Sequence, residues 1–231
     1  MKKLATVLML TLIAAAAQAG VIADIQQGVY AEGDLVTVTD AIVTADGGNG
    51  VFITETPVGP YSGIWVYTDS DHGLMAGDVV TVTGQYIEYY DLSEISVPDA
   101  GDDGAITVTD QGEVPAPYDV TAAEYLADQE AFESVMICIT DGMQVTEAPN
   151  QYGEWVASEW NDPSLEIVFD DLLGYDDTTV EVGQCYNWAC GVVYYSFGQF
   201  KLEAFVDGIE VVDCTVPVEG NSLTELKGLF R

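Results

Sequence analysis

One stretch of this chain occurs twice, and that repeat limits the folds open to it more than any other feature. Residues 77–95 read GDVVTVTGQYIEYYDLSEI, and residues 183–202 read GQCYNWACGVVYYSFGQFKL. Aligned on the second glycine, Gly84 falls on Gly191, Tyr86 and Ile87 on Val193 and Tyr194, and Tyr89 and Tyr90 on Ser196 and Phe197. A strand that starts at a glycine corner, bends at a second glycine and runs on with aromatic residues suits the corner strand of a small barrel. A missing Cβ relieves crowding at such a bend. Two copies imply two similar β domains in tandem.

The rest of the chain fits around these copies. Residues 34–44 (DLVTVTDAIVT) alternate valine with threonine, the period of a half-buried strand. Residues 46–50 (DGGNG) tolerate positive φ and predict a hairpin turn. Residues 51–54 and 63–68 are the next strands, 77–95 the bent fourth, and 105–109 (AITVT) the fifth. The second copy repeats this order over 135–146, 154–158, 165–169, 183–202 and 208–212. Between them, two prolines in residues 113–118 (EVPAPY) make a stiff linker. Thr121 and Glu124 form a capping box for a helix over residues 121–131. The expected fold is all-β: two tandem five-stranded OB-like barrels, residues 20–112 and 121–215, joined by a linker over 113–120. A short helix leads into the second barrel. In the tail, residues 216–231, Ser222 and Glu225 make another capping box. Leu223, Leu226, Leu229 and Phe230 share one helical face ahead of Arg231, so a short amphipathic C-terminal helix is expected. It either docks on the second barrel or serves as a sorting or assembly tag.

Residues 1–19 read as a secretory signal peptide, with Lys2 and Lys3 at its start, an apolar run, and Ala17-Gln18-Ala19 as a small-x-small cleavage site. Gly20, not cysteine, follows the cut, so no lipid anchor is indicated, and no later stretch has the apolar length of a membrane-spanning helix. The expected location is secreted or at the cell surface, with the periplasm as an alternative. Once the leader is removed, Lys201, Lys227 and Arg231 are the basic residues that remain, against 39 acidic ones. Phosphate backbones are bound through cations and counterion release, so this composition repels nucleic acid. Such acidity suits Ca²⁺ capture or a cationic partner, or it serves solubility in saline surroundings.

The four cysteines, Cys138, Cys185, Cys190 and Cys214, all lie in the second repeat. An even count in an exported chain points to disulfides, and Cys-x4-Cys with two isolated partners is poor zinc spacing. The repeat alignment places Cys138 where Thr37 sits and Cys190 where Thr83 sits, outward-facing positions on neighbouring strands. Cys185 opens one strand and Cys214 closes the next. The expected pairs are Cys138–Cys190 and Cys185–Cys214.

No residue set reads as catalytic. There is no Gly-x-Ser-x-Gly, His-Glu-x-x-His or phosphate loop, and the single histidine, His72, reads as a solvated loop residue near Asp69 and Asp71. Ca²⁺ is the small ligand that the acidic loops suit, through Asp99, Asp102 and Asp103 in one loop and Asp170, Asp171, Asp176 and Asp177 in another. Solvated turns are the competing reading of both. Aromatic residues offer a ligand face: Trp65, Tyr67, Tyr89 and Tyr90 in the first domain, Trp155, Tyr194 and Tyr195 in the second. Such a face would stack on oligosaccharide without needing cations, whereas strand aromatics otherwise pack within barrels or between domains.

Several motifs together carry a resemblance: IADIQ, GVFITE, SGIWVY and the first corner segment, then FESVMICITD, YGEWVAS, FDDLLGY and CGVVYYSFGQFKL. The chain resembles the paired OB-fold modules of large secreted bacterial proteins, notably those preceding the endonuclease/exonuclease/phosphatase domain of extracellular nucleases. The segment carrying catalysis in such proteins has no counterpart here, and residues 203–207 (EAFVD) replace a Pro-Arg segment common in the family. The resemblance implies a secreted, non-catalytic ligand-binding or spacer module; the acidic loops add Ca²⁺ dependence to that expectation, and the aromatic faces add self-assembly. Its partners would be a protein or glycan at the cell surface, or a second copy of itself. The alternatives are an oligosaccharide-binding protein and an accessory nucleic-acid-binding module of an extracellular nuclease system.

Overall fold

The computed structural model describes residues 20–69 and 72–214. The leader and the tail helix with Leu223, Leu226, Leu229, Phe230 and Arg231 lie outside the described residues.

Helix α1 (Val21–Gln26) precedes the first barrel. Its first turn is capped from a distance: the Glu55 carboxylate accepts the amides of Val21 at 3.0 Å and Ile22 at 3.1 Å. Strand β1 (Leu35–Asp46) alternates buried and exposed until a bulge between Val38 and Ala41, where Asp40 takes a φ of 58°. The bulge resets the phase, so Val36, Val38, Ala41 and Val43 all point inward. Strands β2 (Gly50–Thr54) and β3 (Gly63–Tyr67) follow.

Residues 77–95 differ from expectation. They form not one bent strand but a hairpin of β4 (Asp78–Tyr89) and β5 (Leu92–Ser96). Tyr90 and Asp91 make the turn with φ of 51° and 69°, the two positive values of a twist-matched hairpin loop. The barrel closes in the order β1-β2-β3-β5-β4 and back to β1, with β3 and β5 parallel. Residues 105–109, expected as the fifth barrel strand, belong instead to β6 (Ala105–Gln111), a largely exposed strand paired with β4. Gly84 stands where β4 leaves β6 for β5: a Cβ there would lie 2.5 Å from an Ile95 methyl and 2.9 Å from the Ser96 carbonyl. The glycine is therefore required at this bend, as the repeat suggests.

The second barrel repeats the order. The linker ends in strand β7 (Tyr118–Val120), and helix α2 (Ala122–Ala127) carries the expected Thr121–Glu124 capping box but stops short of residue 131. The expected first strand, 135–146, is broken into β8 (Met136–Ile139) and β9 (Met143–Glu147). Strands β10 (Trp155–Glu159), β11 (Glu166–Asp170), β12 (Cys185–Ser196) and β13 (Gln199–Val212) complete it. β13 is long enough to supply both the fifth barrel strand and the counterpart of β6. The architecture is thus two closed five-stranded barrels in tandem, all-β with a few short helices.

Both disulfides form as the register implies. Cys138 and Cys190 oppose each other on β8 and β12, and Cys185 joins Cys214. In the first barrel the equivalent pair, Thr37 and Thr83, shares an exposed hydroxyl hydrogen bond of 3.0 Å. Cys138 and Cys190 alternate with the core residues Ile137, Ile139 and Ala189, so they face outward as expected, but they are buried there rather than exposed. Two structural disulfides are the chemistry of an oxidising, extracellular-type environment. Among the described residues no helix is long and apolar enough to cross a membrane.

Candidate functional site

The outer faces of the two barrels meet, and the meeting surface takes up most of the aromatic residues expected to bind ligand. Phe52 and Trp65 on adjacent strands stand with ring centroids 4.7 Å apart, and Tyr194 of the second barrel reaches both, at 5.4 and 5.7 Å. Leu92, Met136 and Val192 complete this cluster, with Tyr67 and Tyr195 packed against it. Trp65 is only 2 % exposed. Trp155 is inside the second barrel, stacked on Phe169 at 5.2 Å and Tyr175 at 5.5 Å. Trp65, Trp155 and Tyr194 therefore do not form an open ligand face: each is covered by protein.

The barrels also meet backbone to backbone. The Tyr61 amide donates to the Ala131 carbonyl at 2.6 Å, and the Ser93 amide donates to Glu133 Oε1 at 3.0 Å. A Cβ at Gly63 would lie 2.1 Å from the Ser134 carbonyl oxygen, so glycine is what permits this approach.

Three acids that the sequence reading did not single out are buried at or beside this junction: Glu94, Glu133 and Glu203. Burial pushes Glu94 up to about 7, with Asp99 adding to it. Burial likewise pushes Glu133 and Glu203 up to about 8, the latter despite the Leu172 amide that its Oε2 accepts at 3.1 Å. Tyr194 is raised to about 12 by burial, with Glu94, Glu203 and Glu133 as charged neighbours. A sequence signal existed for two of these acids, Glu94 and Glu203, lone glutamates within the strand segments LSEIS and FKLEAF; Glu133 precedes its strand and carries no such signal.

Lys201 is the only lysine among the described residues, and it is buried too. Its Nζ is bound by Glu154 and by Asp170 Oδ2 at 2.9 Å. Burial opposes its charge, yet the two carboxylates raise its pKa overall. The described surface consequently presents no lysine or arginine.

The acidic loops do not converge. Among the described residues, no three His, Cys, Asp or Glu side chains are grouped to hold a metal ion. Asp99 accepts the Ser96 hydroxyl at 2.6 Å, and Asp102 and Asp103 stand in an exposed turn. Asp170 is taken by Lys201, Asp176 accepts the Thr178 hydroxyl at 2.5 Å, and Asp171 and Asp177 form no cluster with them. His72 is not solvated as expected: its Nδ1 accepts the Leu74 amide at 3.1 Å and its Nε2 faces Asp46 at 3.4 Å.

What remains exposed is a pair of hairpin tips. Tyr90, between β4 and β5, is 82 % exposed, and Phe197, at the same place between β12 and β13, is 101 % exposed. Tyr89 lies edge-on to Tyr90 at 4.8 Å, and Lys201 Nζ sits 5.7 Å from the Phe197 ring centroid. Both tip residues hold left-handed backbone, φ 51° and 52°. Bulky side chains rarely take that conformation, at a cost of about 1–2 kcal/mol each. No protein-family model matches the chain, and no curated protein matches it.

Proposed function

We propose that the chain is an exported, non-catalytic binding module that presents two aromatic hairpin tips from its paired barrels to an uncharged glycan. One observation carries the reading: Tyr90 and Phe197 are exposed at equivalent tips, in a backbone conformation that folding alone would fill more cheaply with glycine or asparagine. Strained, exposed aromatics repeated in both barrels are suited to stacking on a ligand. The described residues present no lysine or arginine at the surface, which favours a neutral polymer over a phosphate backbone. The leader-like residues 1–19, the two disulfides and the resemblance to secreted tandem OB modules support export.

Affinity electrophoresis of residues 20–231 through a panel of neutral polysaccharides tests this. Retardation by at least one polysaccharide is expected, changing little between about 0.1 M and about 1 M salt, because stacking is not screened. The Tyr90→Ser, Phe197→Ser double variant should lose about tenfold or more in affinity while melting no lower than the parent. Absence of retardation by every neutral polysaccharide, or an unchanged affinity in the double variant, overturns the reading.

A further inference from the structure

The junction between the barrels contains buried acceptors that an added proton would bridge. Glu133 is 1 % exposed. Its Oε1 accepts the Ser93 amide across the junction, but its Oε2 has no protein partner. The Gln26 side chain, on α1 in front of the first barrel, reaches Gly63, which itself lies against the Ser134 backbone next to Glu133. The Gln26 amide has no freedom to turn around: its Nε2 donates to the Gly63 carbonyl at 2.9 Å, which leaves Oε1 buried and also without a partner. Two buried acceptors, an amide oxygen and a carboxyl oxygen, thus lack a donor, and the buried hydroxyl of Ser134, next to Glu133 in the chain, is bonded to neither. A buried acceptor without a donor is destabilising. A hydrogen on Glu133 Oε2, directed at Gln26 Oε1, satisfies both at once.

The geometry points to Glu133 as a proton latch: held protonated, it ties α1, the first barrel and the second barrel together, and on losing the proton it releases the two barrels from each other. Burial and the like charges facing Glu133 favour the proton and outweigh the Ser93 amide and the Gln26 side chain, which favour the carboxylate. Glu88 from β4 and Glu130 from its own segment are like charges, and Glu94 and Glu203 lie around the neighbouring Tyr194. Lys201 does not offset Glu133, since its Nζ is bound by Glu154 and Asp170. Release uncovers the Phe52, Trp65 and Tyr194 surface that the closed form buries.

The direction with pH follows from linkage. In the open form Glu133 titrates near its ordinary 4.5, and in the closed form near 8. Closing therefore takes up a proton between these values, and the closed form is strongest below about pH 4.5, weakens as pH rises to about 8, and levels off beyond. Hydrogen exchange of the Ser93 and Tyr61 amides, corrected for intrinsic exchange, reads the opening directly. From about pH 5 to about pH 8, wild-type protection at these amides should fall about tenfold per unit for the Glu133 proton, with Glu94 and Glu203 adding to the slope. Glu133→Gln carries its own Nε2 donor at every pH, so its slope should be shallower by one proton. Barrel-core amides should not follow this profile in either protein. If Glu133→Gln fails to fold, the infrared spectrum of the Glu94→Gln, Glu203→Gln variant decides instead: with those two buried acids removed, the carbonyl band of a buried protonated carboxyl should be present at about pH 6 and gone by about pH 9. Equal slopes in the two proteins, or no protonated-carboxyl band, overturns the latch.

Discussion

Replacing Gly63 with alanine tests how tightly the two barrels are joined. The added Cβ would stand 2.1 Å from the Ser134 carbonyl oxygen, 2.5 Å from its carbon and 2.8 Å from the Val135 nitrogen. All three are backbone atoms of the other barrel, so no side chain can swing away. Ordinary contact begins at 3.4 Å, so the barrels must separate locally by roughly 1 Å. That displacement takes the Tyr61–Ala131 and Ser93–Glu133 hydrogen bonds, now 2.6 and 3.0 Å, beyond good geometry. Losing a neutral bond and a carboxyl-accepted one, with residual crowding, amounts to about 3 kcal/mol. For a chain of this size the melting temperature should drop by about 6–12 °C. Gly112→Ala is the control: its Cβ would meet nothing closer than 3.6 Å, and the glycine does not hold positive φ. It should be neutral or stabilise by about 0.5 kcal/mol. Calorimetry with urea unfolding followed by tryptophan fluorescence measures both variants. If Gly63→Ala melts within about 2 °C of wild type, the junction is not the rigid contact described here.

Two further outcomes follow from the same geometry. Reduction of the disulfides should destabilise the second barrel selectively, because Cys138–Cys190 spans 52 residues and its chain-entropy contribution is about 4 kcal/mol; two transitions should appear in reductant where one is seen without it, and an unshifted melt in reductant would contradict this. Millimolar Ca²⁺ should raise the melting temperature no more than sodium chloride of matched ionic strength, since Asp99, Asp102, Asp103, Asp170, Asp171, Asp176 and Asp177 do not converge; a chelator-reversible rise beyond the salt effect would show a site outside that arrangement.

Features governed by local chemistry were legible in the sequence. The β1 valine–threonine alternation marks a strand whichever partner it finds, and the Thr121–Glu124 box caps a helix through groups three residues apart. The cysteine pairs could be read because strand register carries one repeat onto the other. The hairpin hidden in residues 77–95 was missed because its turn is Tyr90-Asp91, without the glycine or asparagine that normally announces one.

The sequence by itself determined two β-barrels, their strand periodicity and the glycines at their bends, because backbone sterics and alternation act between near neighbours. The tertiary structure alone decided what the outer strand faces do. Trp65 and Tyr90 are both aromatic residues of the same barrel, yet one is sealed against Tyr194 and the other stands in solvent. Glu133 differs from the many solvated acids of this chain because it is buried at the junction, where the Ser93 amide of the other barrel meets its carboxyl. A residue on the outside of a barrel meets water or another barrel according to contacts distant in sequence, and desolvation, which sets both its energy and its proton affinity, is a property of that assembled surface.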